Sequence, residues 1–293
     1  MEPEIVADYK NLVGEGPLWH PEEKMLYWLD ILGGKIFRLD PASGKHEVFW
    51  QGGITGGFTF QADGSLLLFM EKGAVAVLRD GQLSYLIDEI AGEGENRFND
   101  VIADPAGRVF CGTMSIDDKA AMKAGGRTGT LYRLDTDGSI TPLFDDCAIP
   151  NGMGFTADRK NMYYTESMDY TIYIFDYDER SGEITNKRPF VETGAENALP
   201  DGMTVDAEGH VWSARAGGSA LFRYSPEGVE EMSIPFPAKM VSSVAFGGEG
   251  LTDIYITTIG GDNRADQGPG AGALFRLRTG TKGVPDYYSR IGL

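Results

Sequence analysis

The feature that most constrains the fold of this chain is a sixfold internal repeat. Each copy begins at a small or polar residue, continues through a short apolar run and a turn, and ends in an aromatic-rich strand. The copies start about 40 to 50 residues apart, which is the period of a four-stranded propeller blade. The six segments are EGPLWHPEEKMLYWLD from Glu15, GGFTFQADGSLLLFM from Gly56, NDVIADPAGRVFCGT from Asn99, NGMGFTADRKNMYYTES from Asn151, DGMTVDAEGHVWSAR from Asp201 and SSVAFGGEGLTDIYITT from Ser242.

A second strand pattern recurs in the later half of each copy and ends in a polar or glycine turn. It is found in KIFRLD (35–40), AVAVLRDG (74–81), TLYRLDTDG (130–138), TIYIFDYDE (171–179), ALFRYSPEG (220–228) and ALFRLRTG (273–280). The chain is therefore predicted to be all-β, a six-bladed β-propeller with four-stranded antiparallel blades. Because no linker-like tract separates the copies, residues 1–293 are predicted to form a single domain.

Closure of the ring is expected to use both ends of the chain. The strand patterns in IVADYK, near the beginning, and DYYSRIGL, at the end, are expected to pair in one blade. Such a pairing would leave the ring without a free edge.

The glycine content agrees with many short strands joined by tight turns. The chain has 40 Gly, 13 Tyr and 15 Phe, and no sustained apolar stripe of helical period. Two acidic stretches, DTDGS (135–139) and DYDERSGE (176–183), resemble calcium loops. Neither carries the full EF-hand pattern, so both are interpreted as turns between strands.

Charge and cysteine content narrow the function classes. A net charge of −18 argues against binding to a phosphate backbone. Two cysteines outside any CxxC or Cys/His cluster form no disulfide scaffold. We see no signal peptide and no membrane span, so we expect a cytoplasmic enzyme with no membrane partner, present as a monomer or a homodimer.

The register of the repeat predicts a ligand site. In a ring of equivalent blades, the first residues of the six copies lie on a circle around one mouth of the channel. These positions hold two carboxylates, two carboxamides and one hydroxyl, which are the donors that a hard or borderline divalent cation takes. The alternative is that Asp and Asn simply cap turns at these positions. The six occupants are Glu15, Gly56, Asn99, Asn151, Asp201 and Ser242.

The sequence gives little support to other kinds of catalytic site. The three histidines do not have HExxH spacing, and no GxSxG elbow, P-loop or GxGxxG occurs. Nucleophilic Ser/His/Asp chemistry therefore has little support in this sequence.

At this point five motifs, taken in order, resemble one known family. They are GEGPLWHPEEKMLYWLDI, NRFNDVIADPAGRVFCGTM, IPNGMGFTADRKNMYYTES, LPDGMTVDAEGHVWSA and SSVAFGG. Together they resemble the senescence marker protein/gluconolactonase/luciferin-regenerating enzyme family of regucalcin-like sugar lactonases. The resemblance extends from about Gly14 to GALFRLRTG near the end of the chain.

The resemblance implies a set of site residues. The family's metal ligands fall on Glu15, Asn151 and Asp201 of this chain. Its substrate-contacting arginine and asparagine fall on Arg97 and Asn99. Asp201 is the candidate general base, because one carboxylate oxygen can bind the metal while the other faces a water molecule.

The chain departs from the family pattern at two positions. Phe98 stands where the family usually has proline, so we expect a different loop shape and pocket wall there. Glu166, in TES, stands where the family usually has aspartate. The loops 115–128 and 260–270, which would decide which lactone is used, carry no readable motif.

The function implied by the resemblance is metal-dependent hydrolysis of sugar lactones such as gluconolactone. One divalent ion is expected, and oxygen ligands alone do not choose among Ca²⁺, Zn²⁺, Mn²⁺, Mg²⁺ and Fe²⁺. Two alternatives use the same ligands, namely a calcium-binding regulatory propeller and another hydrolase activity, on phosphotriesters or luciferin-related compounds. A third is a protein-binding receptor propeller, suggested by LYWLD (26–30), although this motif occurs once and not in every blade.

Overall fold

The computed structural model describes residues 2–123 and 126–293, which form a six-bladed β-propeller with four-stranded antiparallel blades. Strands account for 54% of the chain and helix for 6%, so the prediction of an all-β fold is confirmed. The acidic stretches DTDGS and DYDERSGE connect neighbouring strands, as predicted.

Strands are numbered along the chain, beginning with β1 (Glu4–Ala7), and blades are numbered in the order of their first strands. Blade 1 contains β2 (Gly14–His20), β3 (Met25–Asp30), β4 (Lys35–Asp40) and β5 (Lys45–Gln51). Blade 2 contains β6 (Thr55–Phe60), β7 (Leu66–Met70), β8 (Val75–Arg79) and β9 (Gln82–Ile87). Blade 3 contains β10 (Asn96–Ala103), β11 (Val109–Ser115), β12 (Gly129–Leu134) and β13 (Ile140–Cys147).

Blade 4 contains β14 (Pro150–Phe155), β15 (Asn161–Glu166), β16 (Thr171–Tyr177) and β17 (Ile184–Glu192). Blade 5 contains β18 (Leu199–Val205), β19 (Val211–Ala216), β20 (Ala220–Tyr224) and β21 (Glu230–Pro235). Blade 6 contains β22 (Val241–Gly247), β23 (Asp253–Thr258) and β24 (Leu274–Arg278), together with β1. The helices are α1 (Asp118–Ala121) and four short 3-10 turns, Ser167–Asp169, Ala195–Asn197, Glu249–Leu251 and Arg264–Gln267. Within the described ranges, no helix has the length and apolar character that a membrane crossing requires.

Blade 6 takes its fourth strand from the beginning of the chain. The strand order is β1-β24-β23-β22, with β1 antiparallel to β24. The expectation that DYYSRIGL would be the partner of the N-terminal strand is wrong. The reason is that β24 buries Leu274, Phe275 and Leu277, as a strand inside a blade must, whereas the final segment contributes one isolated bridge, between Ser289 and Gln61.

The chain divides into two compact units. One comprises Met1–Gly52 and Phe190–Asp286, and the other comprises Gly53–Pro189 and Tyr287–Leu293. In the first unit β2 and β18 both contact β22, and in the second β6 and β14 both contact β10. The first strand of a blade is therefore the one that packs against neighbouring blades. Burial follows this order, since β6, β14 and β22 are buried throughout while β5 and β9 are largely exposed.

A β-bulge interrupts the first strand of every blade at its beginning. A bulge re-aims side chains and raises the local twist, and bulges are common beside functional sites. Each register shift begins at the first residue of a sequence repeat or at the residue before it, so the six predicted positions lie at nearly the same place in their strands. The register shifts lie between Glu15 and Leu18, Thr55 and Gly57, Phe98 and Val101, Asn151 and Met153, Pro200 and Met203, and Val241 and Ser243.

The bulge of blade 2 requires glycine because the bulge of blade 3 packs directly on it. A Cβ atom at Gly56 would lie 1.8 Å from the Phe98 carbonyl oxygen and 3.0 Å from the Asn99 nitrogen. Both clashing atoms belong to the backbone, which cannot rotate away as a side chain can. Gly56 thus lets the strand that carries Arg97 and Asn99 approach its neighbour.

Replacing Gly56 with alanine is expected to destabilise the protein by about 1–3 kcal/mol, the usual cost of overpacking a well-packed interior. Urea unfolding followed by tryptophan fluorescence measures this change. Gly94→Ala is the matched control, because its Cβ would meet nothing closer than a flexible carboxylate oxygen, that of Glu89 at 3.6 Å. Equal stability of the two variants would show that the blade 3 backbone can move away from position 56.

Candidate functional site

In blades 3 and 4, three of the predicted site residues form one hydrogen-bonded chain. Arg97 Nη1 donates to Asn99 Oδ1 at 2.7 Å, and Asn99 Nδ2 donates to Asn151 Oδ1 at 3.0 Å. Asn151 Nδ2 in turn donates to Ser167 Oγ at 2.9 Å. Arg97, Asn151 and Ser167 are buried, and Asn99 is half-buried. Residues predicted to contact substrate therefore touch a residue predicted to bind metal.

The backbone around the blade 3 bulge fixes two of these side chains. Arg97 Nη1 also donates to the Phe98 carbonyl oxygen at 3.0 Å. Asn99 Nδ2 also donates to the Pro150 carbonyl oxygen at 2.8 Å, which ties blade 3 to the first strand of blade 4. Both side chains thus have a defined orientation in the absence of any ligand.

The side chain of Phe98 does not line a pocket. It is fully buried and packs edge to face on Phe69, with the ring centroids 5.3 Å apart. The expectation that Phe98 changes the pocket wall is therefore wrong, because the bulge turns Phe98 into the core and leaves Asn99 outside it.

Asp100, which follows Asn99 in the bulge, was not singled out from the sequence. Its Oδ1 accepts a hydrogen bond from the Val101 amide at 2.7 Å. Desolvation by the surrounding protein raises the pKa of Asp100 to about 6, although the Val101 amide opposes this shift.

Glu166, the residue that departs from the family's aspartate, has a structural role. It is 2% exposed, and its carboxylate accepts hydrogen bonds from the Ile149 amide at 2.9 Å and from the Tyr164 hydroxyl at 3.1 Å. It also accepts from the Met168 amide, which caps the 3-10 turn that begins at Ser167. Burial raises the pKa of Glu166 despite these bonds. Glu166 thus holds together the entrance to β14 and the turn that presents Ser167.

In the other unit, Glu15 lies at the start of the register shift in β2, and Asp201 lies within that of β18. Glu15 is half-buried, and its Oε2 accepts a hydrogen bond from the Gly16 amide at 3.0 Å. Asp201 is 5% exposed and follows Pro200, which pairs with Arg215 of β19. Both carboxylates therefore lie at positions equivalent to that of Asn151 in blade 4.

Arg215 is a fully buried cation next to Asp201. Its guanidinium donates to the Tyr224 hydroxyl at 2.6 Å and lies 4.8 Å from the centroid of the Phe222 ring. Burial lowers the pKa of Arg215, while the interaction with the Tyr224 hydroxyl and the nearby charges of Glu230 and Asp201 oppose that shift. The surroundings of Asp201 therefore include a positive charge that sequence reasoning did not identify.

At two of the six equivalent positions the side chain is either absent or engaged in hydrogen bonds within the fold. Gly56 has no side chain, and Ser242 Oγ donates to the Gly14 carbonyl oxygen at 2.6 Å and lies 3.0 Å from Thr257 Oγ1. The Ser242 hydroxyl therefore joins blade 6 to blade 1, and this leaves the other four positions as candidates for chemistry.

Among the described residues, one group of acidic and histidine side chains brings its potential metal-ligand atoms within 4.8 Å of one another, namely Asp206, Glu208 and His210. It lies in the turn after β18, at the opposite end of that strand from Asp201. Arg223 occupies the same cluster and pairs with Asp206 at 2.9 Å and with Glu208 at 2.8 Å. The cluster therefore already contains a cation of its own, and its carboxylates serve as partners of Arg223.

Comparison with known proteins agrees with the motifs. A family model described as the SMP-30/Gluconolactonase/LRE-like region matches residues 13–260. The chain belongs to this family. The resemblance seen in the five sequence motifs is thereby confirmed.

Relatives of this family member align along nearly their whole length. The pentonolactonase XacC of Haloferax volcanii is 46% identical, with 98% of each chain covered. Regucalcin of Gallus gallus is 33% identical, with 97% of each chain covered. The crystal structure of regucalcin from Agrobacterium tumefaciens, described as a calcium-binding protein, has a TM-score of 0.90 and 26% identity, and covers 98% of this chain and 97% of that one. The predicted enzyme class, a lactonase, agrees with these names.

Proposed function

We propose that this chain is a metal-dependent lactonase that hydrolyses aldonolactones to the corresponding sugar acids. Lactones of five-carbon sugars are the first candidates, because the relative with 46% identity is a pentonolactonase. The observation that carries the proposal is the hydrogen-bonded chain from Arg97 through Asn99 to Asn151, which links proposed substrate contacts to a proposed metal ligand.

A divalent cation is proposed to bind to Glu15, Asn151 and Asp201. The donor set fits such an ion, since two carboxylates and one amide oxygen are ligands that Ca²⁺, Mn²⁺ and Zn²⁺ accept. The orientation of Asn151 also fits, because its oxygen is turned away from Ser167 and its nitrogen toward it. Glu15 is half-buried and Asp201 is buried, and a neighbouring cation would stabilise the charged form of both carboxylates.

The chain's own groups have distinct roles in this proposal. Asp201 acts as general base and takes a proton from the water molecule that attacks the lactone carbonyl. Arg97 and Asn99 donate hydrogen bonds to substrate oxygens and orient the carbonyl group. The C–O bond of the ring then breaks, and the departing oxygen takes up a proton to become a hydroxyl. A bound divalent cation would polarise the carbonyl and lower the pKa of a bound water molecule.

The calcium-binding regulatory role stays an alternative, because the A. tumefaciens structure is described as that of a calcium-binding protein. The cytoplasmic location, the single domain and the choice between monomer and homodimer also stay predictions. Part of the loop 115–128, which was expected to influence the choice of lactone, lies outside the described residues.

A panel of five- and six-carbon aldonolactones tests the proposed function. Each turnover yields an acid that ionises, so a pH indicator reports the rate directly. We expect turnover above the spontaneous rate, loss of at least about 10²-fold after chelation, and recovery when single divalent metals are restored. A preference for five-carbon over six-carbon lactones is the expected order.

The results that would contradict the proposal are clear-cut. No turnover of any lactone with any of Ca²⁺, Zn²⁺, Mn²⁺, Mg²⁺ or Fe²⁺ would exclude the lactonase. Tight calcium binding without turnover would favour the regulatory role. Activity that survives complete chelation would exclude the metal while leaving the hydrolysis in place.

A further inference from the structure

The hydrogen-bonded chain in blades 3 and 4 runs in one direction. A guanidinium group can only donate hydrogen bonds, so the side-chain atom of Asn99 that faces Arg97 must be its oxygen. The Asn99 amide nitrogen then faces Asn151, and the atom of Asn151 that receives it must also be the oxygen. Asn151 Nδ2 is left facing Ser167, whose Oγ accepts.

This direction leaves Asn151 with one favourable orientation. If its carboxamide rotated by 180°, its nitrogen would face Asn99 Nδ2, donor against donor, and its oxygen would face Ser167. A carboxamide oxygen has two acceptor positions, and Asn99 uses one of them. The other acceptor position of Asn151 Oδ1 is available for a cation, whereas an amide nitrogen offers none.

We propose that Ser167 is a positioning residue for the metal site, because its Oγ anchors the amide nitrogen of Asn151 while the Asn99 amide makes the other atom, the oxygen, the ligand atom. This inference rests on the proposed function, since it concerns Asn151 as a metal ligand. Groups that hold a ligand in orientation affect metal affinity about 10- to 100-fold when they are removed.

Backbone hydrogen bonds fix the position of Ser167. The Ser167 amide donates to the Ile149 carbonyl oxygen at 3.2 Å, and the Tyr170 amide donates to the Ser167 carbonyl oxygen at 3.0 Å. The carboxylate of Glu166 binds backbone amides on both sides of this contact, those of Ile149 and Met168. Ser167, which is 1% exposed, is therefore fixed to the same backbone that leads into Asn151.

The experiment measures binding of Ca²⁺, Mn²⁺ and Zn²⁺, each alone, to the chelated full chain by isothermal titration calorimetry. Ser167→Ala is expected to weaken binding about 10- to 100-fold while the apoprotein keeps its circular dichroism spectrum. Thr165→Val is the matched control. Thr165 is fully buried two residues away and pairs with Asn151 in the sheet, and its hydroxyl has no hydrogen-bond partner among the described residues. We expect this control to remain within about threefold of the wild type.

A double-mutant cycle with Asn151→Asp separates orientation from a general structural effect. A carboxylate presents oxygen whichever way it is turned, so Ser167→Ala should change metal affinity by less than about threefold in that background. If Ser167→Ala does not fold, Ser167→Cys is measured instead, because sulfur is a weak acceptor of similar size.

Each outcome decides a separate question. Wild-type protein that binds none of the three ions would overturn this inference together with the proposed binding of these ions, whereas the lactone panel tests the hydrolysis separately. Wild-type binding that Ser167→Ala leaves unchanged would overturn the inference alone. The same would follow if Thr165→Val weakened binding equally, or if the effect of Ser167→Ala persisted in the Asn151→Asp background.

Discussion

Replacement of Asp201 by alanine is expected to lower kcat for the preferred lactone by about 10³-fold or more, because it removes a general base and a metal ligand together. Initial rates measured with a pH indicator, at saturating metal and substrate, give this number. Replacement by asparagine keeps an oxygen donor but no base. Asp201→Asn should therefore retain more of the metal affinity than Asp201→Ala while losing most of kcat.

The matched control for Asp201 is Glu208→Gln, which removes one negative charge at the other end of β18. Glu208 is exposed and belongs to the turn after that strand. It should leave kcat within about threefold of the wild type, as surface substitutions usually have little effect. If Asp201→Ala kept more than a tenth of the wild-type kcat, Asp201 would not be the base.

Replacement of Asp206 by alanine is expected to have the largest effect on stability, about 3–5 kcal/mol, the usual cost of removing one partner from a buried ion pair. Asp206 is fully buried and accepts hydrogen bonds from the Trp212 indole and the Arg223 guanidinium, each at 2.9 Å. It also accepts from the His210 amide at 2.9 Å. Without the carboxylate the Trp212 indole and the His210 amide would lose their acceptor, and Arg223 would keep only the more exposed carboxylates of Glu208 and Glu231. Chemical unfolding in urea measures the loss.

The Asp206 contribution is also expected to depend on pH. Burial alone would raise the pKa of Asp206, but the hydrogen bonds from Trp212 and His210 and the charge of Arg223 outweigh it and lower the pKa. A lowered pKa means that the contribution is complete above the pKa of an unfolded aspartate, about 4, and is lost as the pH falls through the native value.

The difference in unfolding free energy between wild type and Asp206→Ala should therefore shrink as the pH falls below about 4. Asp158→Ala is the comparison, since Asp158 occupies the corresponding turn of blade 4 but is exposed. A difference for Asp206 that did not exceed that for Asp158 would show that water can replace the buried contacts.

The fold could be predicted from the sequence because turn residues and strand patterns recur with one period. The equivalence of Glu15, Asn151 and Asp201 followed from the same register, and the bulges bear out that equivalence of position. Their role as metal ligands stays a prediction.

Other features depended on contacts far apart in the sequence. The hydrogen bond from Ser242 Oγ to the Gly14 carbonyl oxygen joins residues 228 positions apart, and no local sequence pattern predicts it. The burial of Phe98 depends on the bulge, which shifts the register of β10 against β11 between Phe98 and Val101. The sequence shows Ser167 as a polar residue after Glu166 in TES, but its hydrogen bond with Asn151 is evident only from the structure.

The pairing of β1 with β24 has a consequence for the order in which the protein folds. The strand β1 is synthesised more than 260 residues before β24, the strand with which it pairs. Loop closure over such a separation is slow, and until it occurs β24 remains an unpaired edge that other chains can join. Chains should therefore be most prone to aggregate in the interval between the formation of β24 and its pairing with β1.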